Sequence, residues 1–424
     1  MTRRTELTLA LVLTVSLLGG LWYSSDYHPD DYHPDTHRND PDTHRNAAID
    51  EFLDRHWQRP IAPQGDLPSG FTGQEGALAP AECGSCHPQQ WRDWRTSLHS
   101  RAVGAGLMWQ LHLMDQAQAN QCLDCHAPLA EQKALLALHF DWPGAPPRPP
   151  PAYVDEGLAL QGLVCAACHV RKHRRFGPEP RTEPAGGRQP HGGFIAQKAF
   201  SDSRFCAACH QFPQQGPRVN GKLQEDTYAQ WLASPAAADG RQCQACHMPE
   251  RRHFWRGIHD PEMVRSGVRA ELDVEPVEGR FRITASLSNV DVGHLFPTYM
   301  VPKVVMTLNQ LLPDGEAIQL GQSTIGWQVN ADLNHELADT RIAPGDRHRL
   351  QAWIDNASGT VVLNVAVIPR EHYERMFQQM LKQSDKLSPA AVEWLETAYA
   401  EARAARYDLL SLHKPLPTGG DIAN

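Results

Sequence analysis

The chain has 424 residues and a formal net charge of -9, with 49 acidic against 40 basic side chains. This length predicts two or three domains. The acidic balance argues against nucleic acid as a partner and favours a partner protein with a basic surface.

The first 24 residues predict an N-terminal signal anchor. Arg3 and Arg4 precede an apolar run from Leu7 to Tyr23, at the short end of what can span a bilayer. A cleaved signal peptide is the alternative, but no good small-x-small cleavage site follows the run. An uncleaved anchor would tether the rest of the chain to the periplasmic side of the inner membrane. Cleavage would instead leave a secreted or free periplasmic protein.

Residues 25–75 are predicted to form a low-complexity linker rich in His and Asp. The sequence DYHPD recurs at 26 and 31, and DTHRN recurs at 35 and 42. Weak metal binding by these histidines is one interpretation, and a solvated spacer that grew by duplication is the one we favour. As a flexible coil of ~50 residues, the linker would span roughly 40 Å.

All ten cysteines of the chain lie in five C-x-x-C-H motifs, and none is left over. The motifs are Cys83/Cys86/His87, Cys122/Cys125/His126, Cys165/Cys168/His169, Cys206/Cys209/His210 and Cys243/Cys246/His247. Two thiols three residues apart can each add to one vinyl group of a haem, and the next residue then binds the iron from below. The motifs therefore predict five covalently bound haem c groups, each with an iron-ligating histidine.

Three other interpretations explain the motifs less well. A zinc site would need two C-x-x-C pairs per ion and would not require the histidine each time. A thioredoxin-like redox motif occurs once, near a βαβ pattern that this chain lacks. Structural disulfides would suit an exported protein but leave the five histidines unexplained.

Residues 76–265 are predicted to form the pentahaem domain. The first cysteines of the motifs are 39, 43, 41 and 37 residues apart, so each haem has about forty residues of chain. Short helices around each motif, separated by proline-rich breaks such as 142–151, are expected here, with little β structure.

A haem that only carries electrons needs a second axial ligand, which is usually a histidine outside the motif. Methionine sulfur is an alternative, and Met108, Met114 or Met248 could supply it. Outside the motifs and the linker the candidate histidines are His56, His99, His112, His139, His173, His191, His253, His259, His294, His335, His348, His372 and His413.

Several segments resemble a known superfamily in sequence and in order. They are CGSCHPQQWRDWRTSLHSRA, GLVCAACHVR, RQPHGG followed by RFCAACHQFP, and DTYAQWLASPAAADGRQCQACHMPERRHFWRGIHDPEM. They are similar to the multihaem c-type cytochromes that include hydroxylamine oxidoreductase and its small tetrahaem acceptor cytochrome. The likeness covers about residues 78–380, and VGHLFPT at 292–298 is similar to a motif in exported members with an added β domain.

The resemblance implies which histidines cap the irons. It implies that His99 is a distal ligand that crosses to another haem, and that His191, His253, His259 and His294 are further distal candidates. It does not decide between His253 and His259, and His112, His139 and His173 remain substitutes. It also implies that His294 reaches a haem from the β domain.

Residues 270–368 change to the alternating pattern of strands. Phe281, Ile283, Ala285 and Leu287 fall on one face, and a PDG turn separates two further runs. Several strands joined by turns predict a small immunoglobulin-like β-sandwich. Residues 369–424 are predicted to form C-terminal helices and a tail, the second helix capped by Ser388. The fold class is thus mixed: a mostly α-helical, loop-rich multihaem cytochrome domain, a β-sandwich and terminal helices.

These features predict an electron carrier that passes electrons through a chain of mostly bis-His haems. Its expected partners are redox proteins, such as a quinol-oxidising membrane module or other cytochromes. An enzyme with one open haem, acting on a small nitrogen or sulfur compound, is the first alternative, although no C-x-x-C-K motif occurs. A structural haem-bearing subunit of a complex or filament is the second. The sequence does not indicate an oligomeric state.

Overall fold

The computed structural model of the chain describes residues 43–148, 150–181, 189–355 and 358–416. The predicted signal anchor and the linker as far as residue 42 lie outside these ranges. Within them, no helix is both long enough and apolar enough to cross a membrane.

Helices dominate the N-terminal half and strands the C-terminal part. The helices are α1 (Thr43–His56), α2 (Gly73–Gly76), α3 (Pro80–Gly84), α4 (Pro88–Thr96), α5 (Ala105–Leu111), α6 (Gln116–His126), α7 (Ala130–His139), α8 (Cys165–His169), α9 (Arg204–His210), α10 (Thr227–Leu232), α11 (Pro235–Ala238), α12 (Cys243–His247), α13 (Pro261–Gly267), α14 (Glu371–Leu381) and α15 (Pro389–Ala404).

The strands before residue 230 are two to four residues long, which fits the expectation of little β structure there. They are β1 (Val170–Arg171), β2 (Arg174–Gly177), β3 (Ile195–Ala196), β4 (Arg218–Val219) and β5 (Lys222–Leu223). The later strands are β6 (Val268–Val277), β7 (Arg280–Asn289), β8 (Lys303–Leu311), β9 (Ala317–Ile325), β10 (Trp327–Val329), β11 (Glu336–Asp339), β12 (Arg347–Ile354), β13 (Thr360–Ile368) and β14 (Tyr407–Pro415).

The chain divides into two compact units that alternate along the sequence. The motif unit comprises Met1–Gln215, Gln242–Trp255 and Gln383–Ala398, and the sheet unit comprises Gly216–Arg241, Arg256–Lys382 and Tyr399–Asn424. All five C-x-x-C-H motifs fall in the motif unit. The division differs from the boundaries proposed from sequence, because residues 216–241 group with the strands and residues 383–398 group with the motifs.

Local sequence explains how the motif unit begins its helices. Asp115 forms a capping box at the start of α6, since its carboxylate accepts from the backbone N–H of Gln118 while the Gln118 side chain accepts from the backbone N–H of Asp115. Pro88 opens α4, where a helix needs no backbone N–H. Leu78, Met108, Leu123 and Leu136 are fully buried in the core between these helices.

The segment that the sequence assigned to a linker is partly folded. Helix α1 occupies its middle, with Ile49, Phe52 and Leu53 buried against Ala199. These residues are spaced three and four apart, so they share one face of the helix. His56 at its C-terminal end is buried and its Nε2 lies 2.8 Å from the carbonyl oxygen of Cys168. The expectation of coil is therefore wrong for Thr43–His56, whereas residues 57–72 contain no helix or strand.

Two antiparallel sheets form the core of the sheet unit, which also contains the two-stranded pairs β4-β5 and β10-β11. The first has the strand order β12-β7-β6 and the second β14-β13-β8-β9. The alternating residues of β7 predicted to face the core are all buried, from 3% exposure at Phe281 to 0% at Leu287. They share one hydrophobic core with Val304, Met306 and Leu363 of the second sheet.

The C-terminal segment contains the two predicted helices and a strand that was not predicted. Ser388 caps α15 as expected, since its Oγ accepts from the backbone N–H of Ala391 at 3.2 Å. The sequence RYDLL was expected to continue this helix. It instead begins β14, which pairs antiparallel with β13 and buries Leu409. β14 supplies hydrogen-bond partners to the backbone edge of β13. This strand pairing outweighs the helical preference of the RYDLL segment.

Candidate haem-binding sites

The C-x-x-C-H motifs lie on single turns of helix in the motif unit. Helices α6 and α9 end at their motif histidines, while α8 and α12 consist of a motif alone. The first motif spans the junction of α3 and α4, with Cys83 in α3 and His87 directly before Pro88. Residues three apart on a helix share a face. None of the ten thiols, all of which lie in the described ranges, forms a disulfide, as addition to haem vinyl groups requires.

Thiols from different motifs lie side by side. Side-chain hydrogen bonds join Cys83 with Cys165, Cys125 with Cys209, and Cys206 with Cys243. The Cys168 thiol also lies within electrostatic range of Cys206 and Cys209. The fourth motif therefore adjoins the second, third and fifth, whereas the first adjoins the third.

Two of the ten predicted haem-binding thiols differ from the others in exposure. Cys86 and Cys246 are exposed, whereas the other eight cysteines are partly buried. Both still fit haem attachment, because thioether formation requires an accessible free thiol.

Two motif histidines face histidines from elsewhere in the chain at similar separations. The ring centroids of His210 and His99 are 6.3 Å apart, and those of His169 and His253 are 6.2 Å apart. An imidazole nitrogen binds a first-row metal ion at about 2 Å, so two imidazoles on opposite sides of one ion hold their ring centroids about 6 Å apart. Each pair thus leaves the room that one iron needs.

A third pair involves the first motif. His191 lies close enough to His87 to lower the pKa of His87, which burial lowers further. Burial is the larger of the two causes. The His191 backbone is in the left-handed region, with a φ of 44°, and Gly192 and Gly193 follow with positive φ as well. This tight loop explains why two glycines follow the histidine in the QPHGG segment.

Several of the candidate histidines are oriented by a backbone carbonyl. Nδ1 of each lies at hydrogen-bonding distance from a carbonyl oxygen, which fixes Nδ1 as the donor and places the metal-binding lone pair on Nε2. The distances are 2.7 Å for His126 to Ala102, 2.7 Å for His169 to Phe176, 2.9 Å for His253 to Arg251, 3.0 Å for His191 to Gly193 and 2.9 Å for His294 to Leu295.

Burial keeps the central imidazoles neutral. It is the largest cause of the pKa of His99 falling to about 3 and that of His169 to about 4, and neighbouring histidines contribute to both shifts. Neutral imidazole is the form that binds a metal ion. Nδ1 of His99 is buried without a hydrogen-bond partner, and the ring packs edge-on against Trp255 with centroids 4.7 Å apart. These imidazoles, in their neutral form, therefore fit haem iron as ligands.

The remaining distal candidates are placed differently. His259 and His294 both lie in the sheet unit, where the Asn289 side chain donates to the carbonyl oxygen of His294 and fixes its loop. Of the substitutes, His139 is exposed and His173 is buried with Nε2 3.3 Å from the carbonyl oxygen of Gly65. The Nε2 atom of His112 is buried without a hydrogen-bond partner.

No sequence pattern singled out Asp93, which anchors His253. Its carboxylate accepts two hydrogen bonds from Arg252, both at 2.7 Å, and a third from the backbone N–H of His253 at 3.0 Å. These bonds hold the pKa of Asp93 below its ordinary value, the bond from Arg252 being the largest cause, although burial opposes them. Asp93 and Arg252 are 159 residues apart, so no local pattern indicates the pair.

Replacing Asp93 with Asn should destabilise the motif unit by roughly 1–3 kcal/mol at neutral pH, since the amide leaves Arg252 without its counter-charge. A carboxyl whose pKa is lowered by folding stabilises the protein above its ordinary pKa, and this is lost as pH falls through the lowered value. Thermal unfolding should therefore show a deficit in Asp93→Asn at pH 7 that shrinks in acid. Asp291→Asn is the control, because its bond to Arg241 joins two exposed side chains. Equal losses in both variants would contradict the anchoring role.

The motif helices and the imidazole pairs are features of one class of protein, the multihaem c-type cytochromes. The comparisons with known proteins support this class and covalent haem c binding. Residues 82–141 match the family model "Cytochrome c554 and c-prime". No curated protein matches the chain.

One solved structure has the same fold over most of the chain. It is a penta-heme cytochrome c552 from Thermochromatium tepidum, with a TM-score of 0.56 and 18% sequence identity over 81% of this chain and 100% of that one. A second solved structure, Northeast Structural Genomics Consortium target SoR45, aligns with 37% of this chain and 92% of that one at 11% identity and a TM-score of 0.18.

Proposed function

We propose that this chain is a pentahaem c-type cytochrome whose work is electron transfer between redox proteins. The observation that carries the proposal is the set of five C-x-x-C-H motifs in one compact unit, with thiols of different motifs in contact. Porphyrins attached there would lie near one another, so an electron could pass from haem to haem. The protein's part is to fix the haems, cap their irons and tune their potentials.

Three irons are assigned two histidines each. His87 and His191 bind the first haem, His169 and His253 the third, and His210 and His99 the fourth. The pairing of His169 with His253 favours His253 over His259 as a distal ligand. The ring separations of 6.2 and 6.3 Å support two of these assignments, and the charge interaction of His191 with His87 supports the other. An iron with two histidine ligands has no site for substrate, which is the property of a carrier.

The second motif favours another function for one haem. His126 is oriented by the carbonyl of Ala102, yet in the described ranges no other histidine ring is in contact with it. His99 is within electrostatic range of His126, but it is assigned to the fourth iron. If no histidine from another segment binds it, an iron at the second motif would have an open position. This is the specific observation behind the second candidate, an oxidoreductase that acts on a small nitrogen or sulfur compound at the second haem. A subunit with a purely structural role has no comparable observation in its favour.

Other finer assignments belong to the same proposal. The superfamily of hydroxylamine oxidoreductase, the immunoglobulin-like form of the two sheets, and ligation by His259 and His294 rest on the sequence resemblance. Attachment to the periplasmic side of the inner membrane through residues 1–24 rests on the apolar run. A quinol-oxidising module or another cytochrome as partner follows from this location.

Low-temperature electron paramagnetic resonance of the oxidised holoprotein, with haem quantified, tests the function. We expect five haems per chain and low-spin signals that do not respond to nitrite, hydroxylamine or cyanide, because each iron of a carrier has two ligands. A high-spin signal near one haem in five that shifts on addition would make the oxidoreductase the better description. Fewer than five haems would contradict the cofactor assignment.

A further inference from the structure

A basic turn projects from the motif unit directly after the third motif. It joins β1 to β2 and carries Lys172 and Arg174, both exposed, followed by the partly buried Arg175. None of these three side chains forms an ion pair with a carboxylate among the described residues; Arg175 donates to the carbonyl oxygens of His173 and Glu75. The turn is therefore a concentration of unneutralised positive charge in a chain whose net charge is -9.

A cavity of about 270 Å³ lies against this turn. The three cations line one side of it, and Phe71 and Phe194 line another. No acidic side chain lies among its described lining residues. Phe194 is 42% exposed, so an aromatic surface stands at the mouth beside the cations. A lining that combines aromatic and arginine side chains is typical of protein-binding surfaces.

The same cavity adjoins the first motif. His191, the distal ligand proposed for the first haem, forms part of its wall. The guanidinium of Arg175 also lies within electrostatic range of Cys83, one of the two thiols that would hold that haem. A partner seated on the cavity would thus be separated from the first iron by one imidazole.

We propose that the surface formed by Lys172, Arg174, Arg175 and Phe194 is a docking site for an acidic electron-transfer protein, which exchanges electrons with the first haem. The proposal rests on the electron-transfer function proposed above. It differs from the expectation drawn from net charge, which favoured a basic partner. Unpaired cations in a concave site focus the field locally, and this local field, not the net charge of the chain, attracts a partner at short range.

The local field is tested by comparing the rates at which an anionic and a cationic oxidant oxidise the reduced holoprotein. Ferricyanide and tris(phenanthroline)cobalt(III) each accept one electron from a ferrous haem and carry opposite charges. In the double variant K172Q/R174Q we expect oxidation by ferricyanide to slow by roughly three- to tenfold at low salt, and oxidation by the cobalt complex to be unchanged or faster. Raising the ionic strength should remove the difference, since salt screens exposed charges.

The matched control removes two exposed cations from the sheet unit. Arg269 lies on β6 and Arg349 on β12, the two strands of that unit that flank β7. R269Q/R349Q changes the net charge by the same amount, so equal slowing in both double variants would overturn the docking site. Equal slowing with both oxidants in K172Q/R174Q, together with a shifted haem midpoint potential, would also overturn the docking site. That result would show that the two cations pair with a haem carboxylate.

The size of the partner is tested by competition. Poly-L-glutamate should inhibit ferricyanide oxidation of the wild type at carboxylate concentrations where free glutamate does not, and should not inhibit K172Q/R174Q. Equal inhibition by free glutamate would show a small-anion site and overturn a protein partner. If the holoprotein exchanged electrons with neither oxidant, the proposed electron-transfer function itself would be contradicted. That outcome differs from the loss of the docking site, because it affects the wild type and both double variants equally.

Discussion

Replacing His99 with Ala should convert about one haem in five from low spin to high spin. The His99 ring is the one that faces His210 across a gap of 6.3 Å between centroids, and its Nε2 is the strong-field ligand proposed for the fourth iron. Alanine removes this ligand and leaves a space beside Trp255 that water, cyanide or carbon monoxide can enter. Electron paramagnetic resonance and the visible spectrum of the carbon monoxide complex measure the change.

His139→Ala is the matched control for this variant. His139 is an exposed histidine whose ring contact is with Phe140, so its loss should leave every haem signal unchanged. His99→Met is the complementary variant, because a thioether keeps the iron low-spin while raising its reduction potential. If His99→Ala retained five low-spin haems, the pairing of His99 with His210 would have to be abandoned.

Local sequence patterns were sufficient to predict the residues of the haem-attachment sites and much of the sheet unit. A C-x-x-C-H motif needs one turn of helix; four of the five lie within a helix, and the first spans the junction of α3 and α4. The alternation of Phe281, Ile283, Ala285 and Leu287 predicted a strand with one buried face, and that strand is β7. Both signals depend on residues no more than seven positions apart.

Contacts between distant segments were not predictable from such patterns. The Asp93–Arg252 pair, the docking of α1 on Ala199 and the pairing of β14 with β13 each join segments separated by tens of residues or more. The alternation of the two units along the chain has the same origin, since nothing in residues 216–241 indicates that they pack with strands. Sequence also gives only the total charge, whereas the effect of Lys172 and Arg174 depends on their place on a turn.

The order of the motifs in space is another property that the sequence does not contain. The thiol contacts connect the first motif to the third, the third to the fourth, and the fourth to both the second and the fifth. Electrons that enter at the first haem would then reach the second and fifth haems only through the fourth. If the spacing of the haems follows these thiol contacts, the haem that Cys206 and Cys209 would hold is a branch point.

The double variant C206S/C209S should separate the haems into groups that no longer equilibrate. Without its two thioether bonds the fourth haem is lost on maturation, and haem content should fall from five to four per chain. The gap left between the third haem and the second and fifth haems should slow internal electron transfer by orders of magnitude. Rapid reduction followed by optical spectroscopy would then show two phases where the wild type shows one.

The first motif supplies the control that separates this effect from the loss of any one haem. C83S/C86S also removes one haem, but Cys83 lies beside Cys165 at the end of the connected series and Cys86 is exposed, so the other four haems remain linked. We expect single-phase equilibration in that variant and two phases in C206S/C209S. Two phases in both, or one phase in both, would show that the fourth haem is not the branch point, since the branch predicts that only its removal divides the chain of haems.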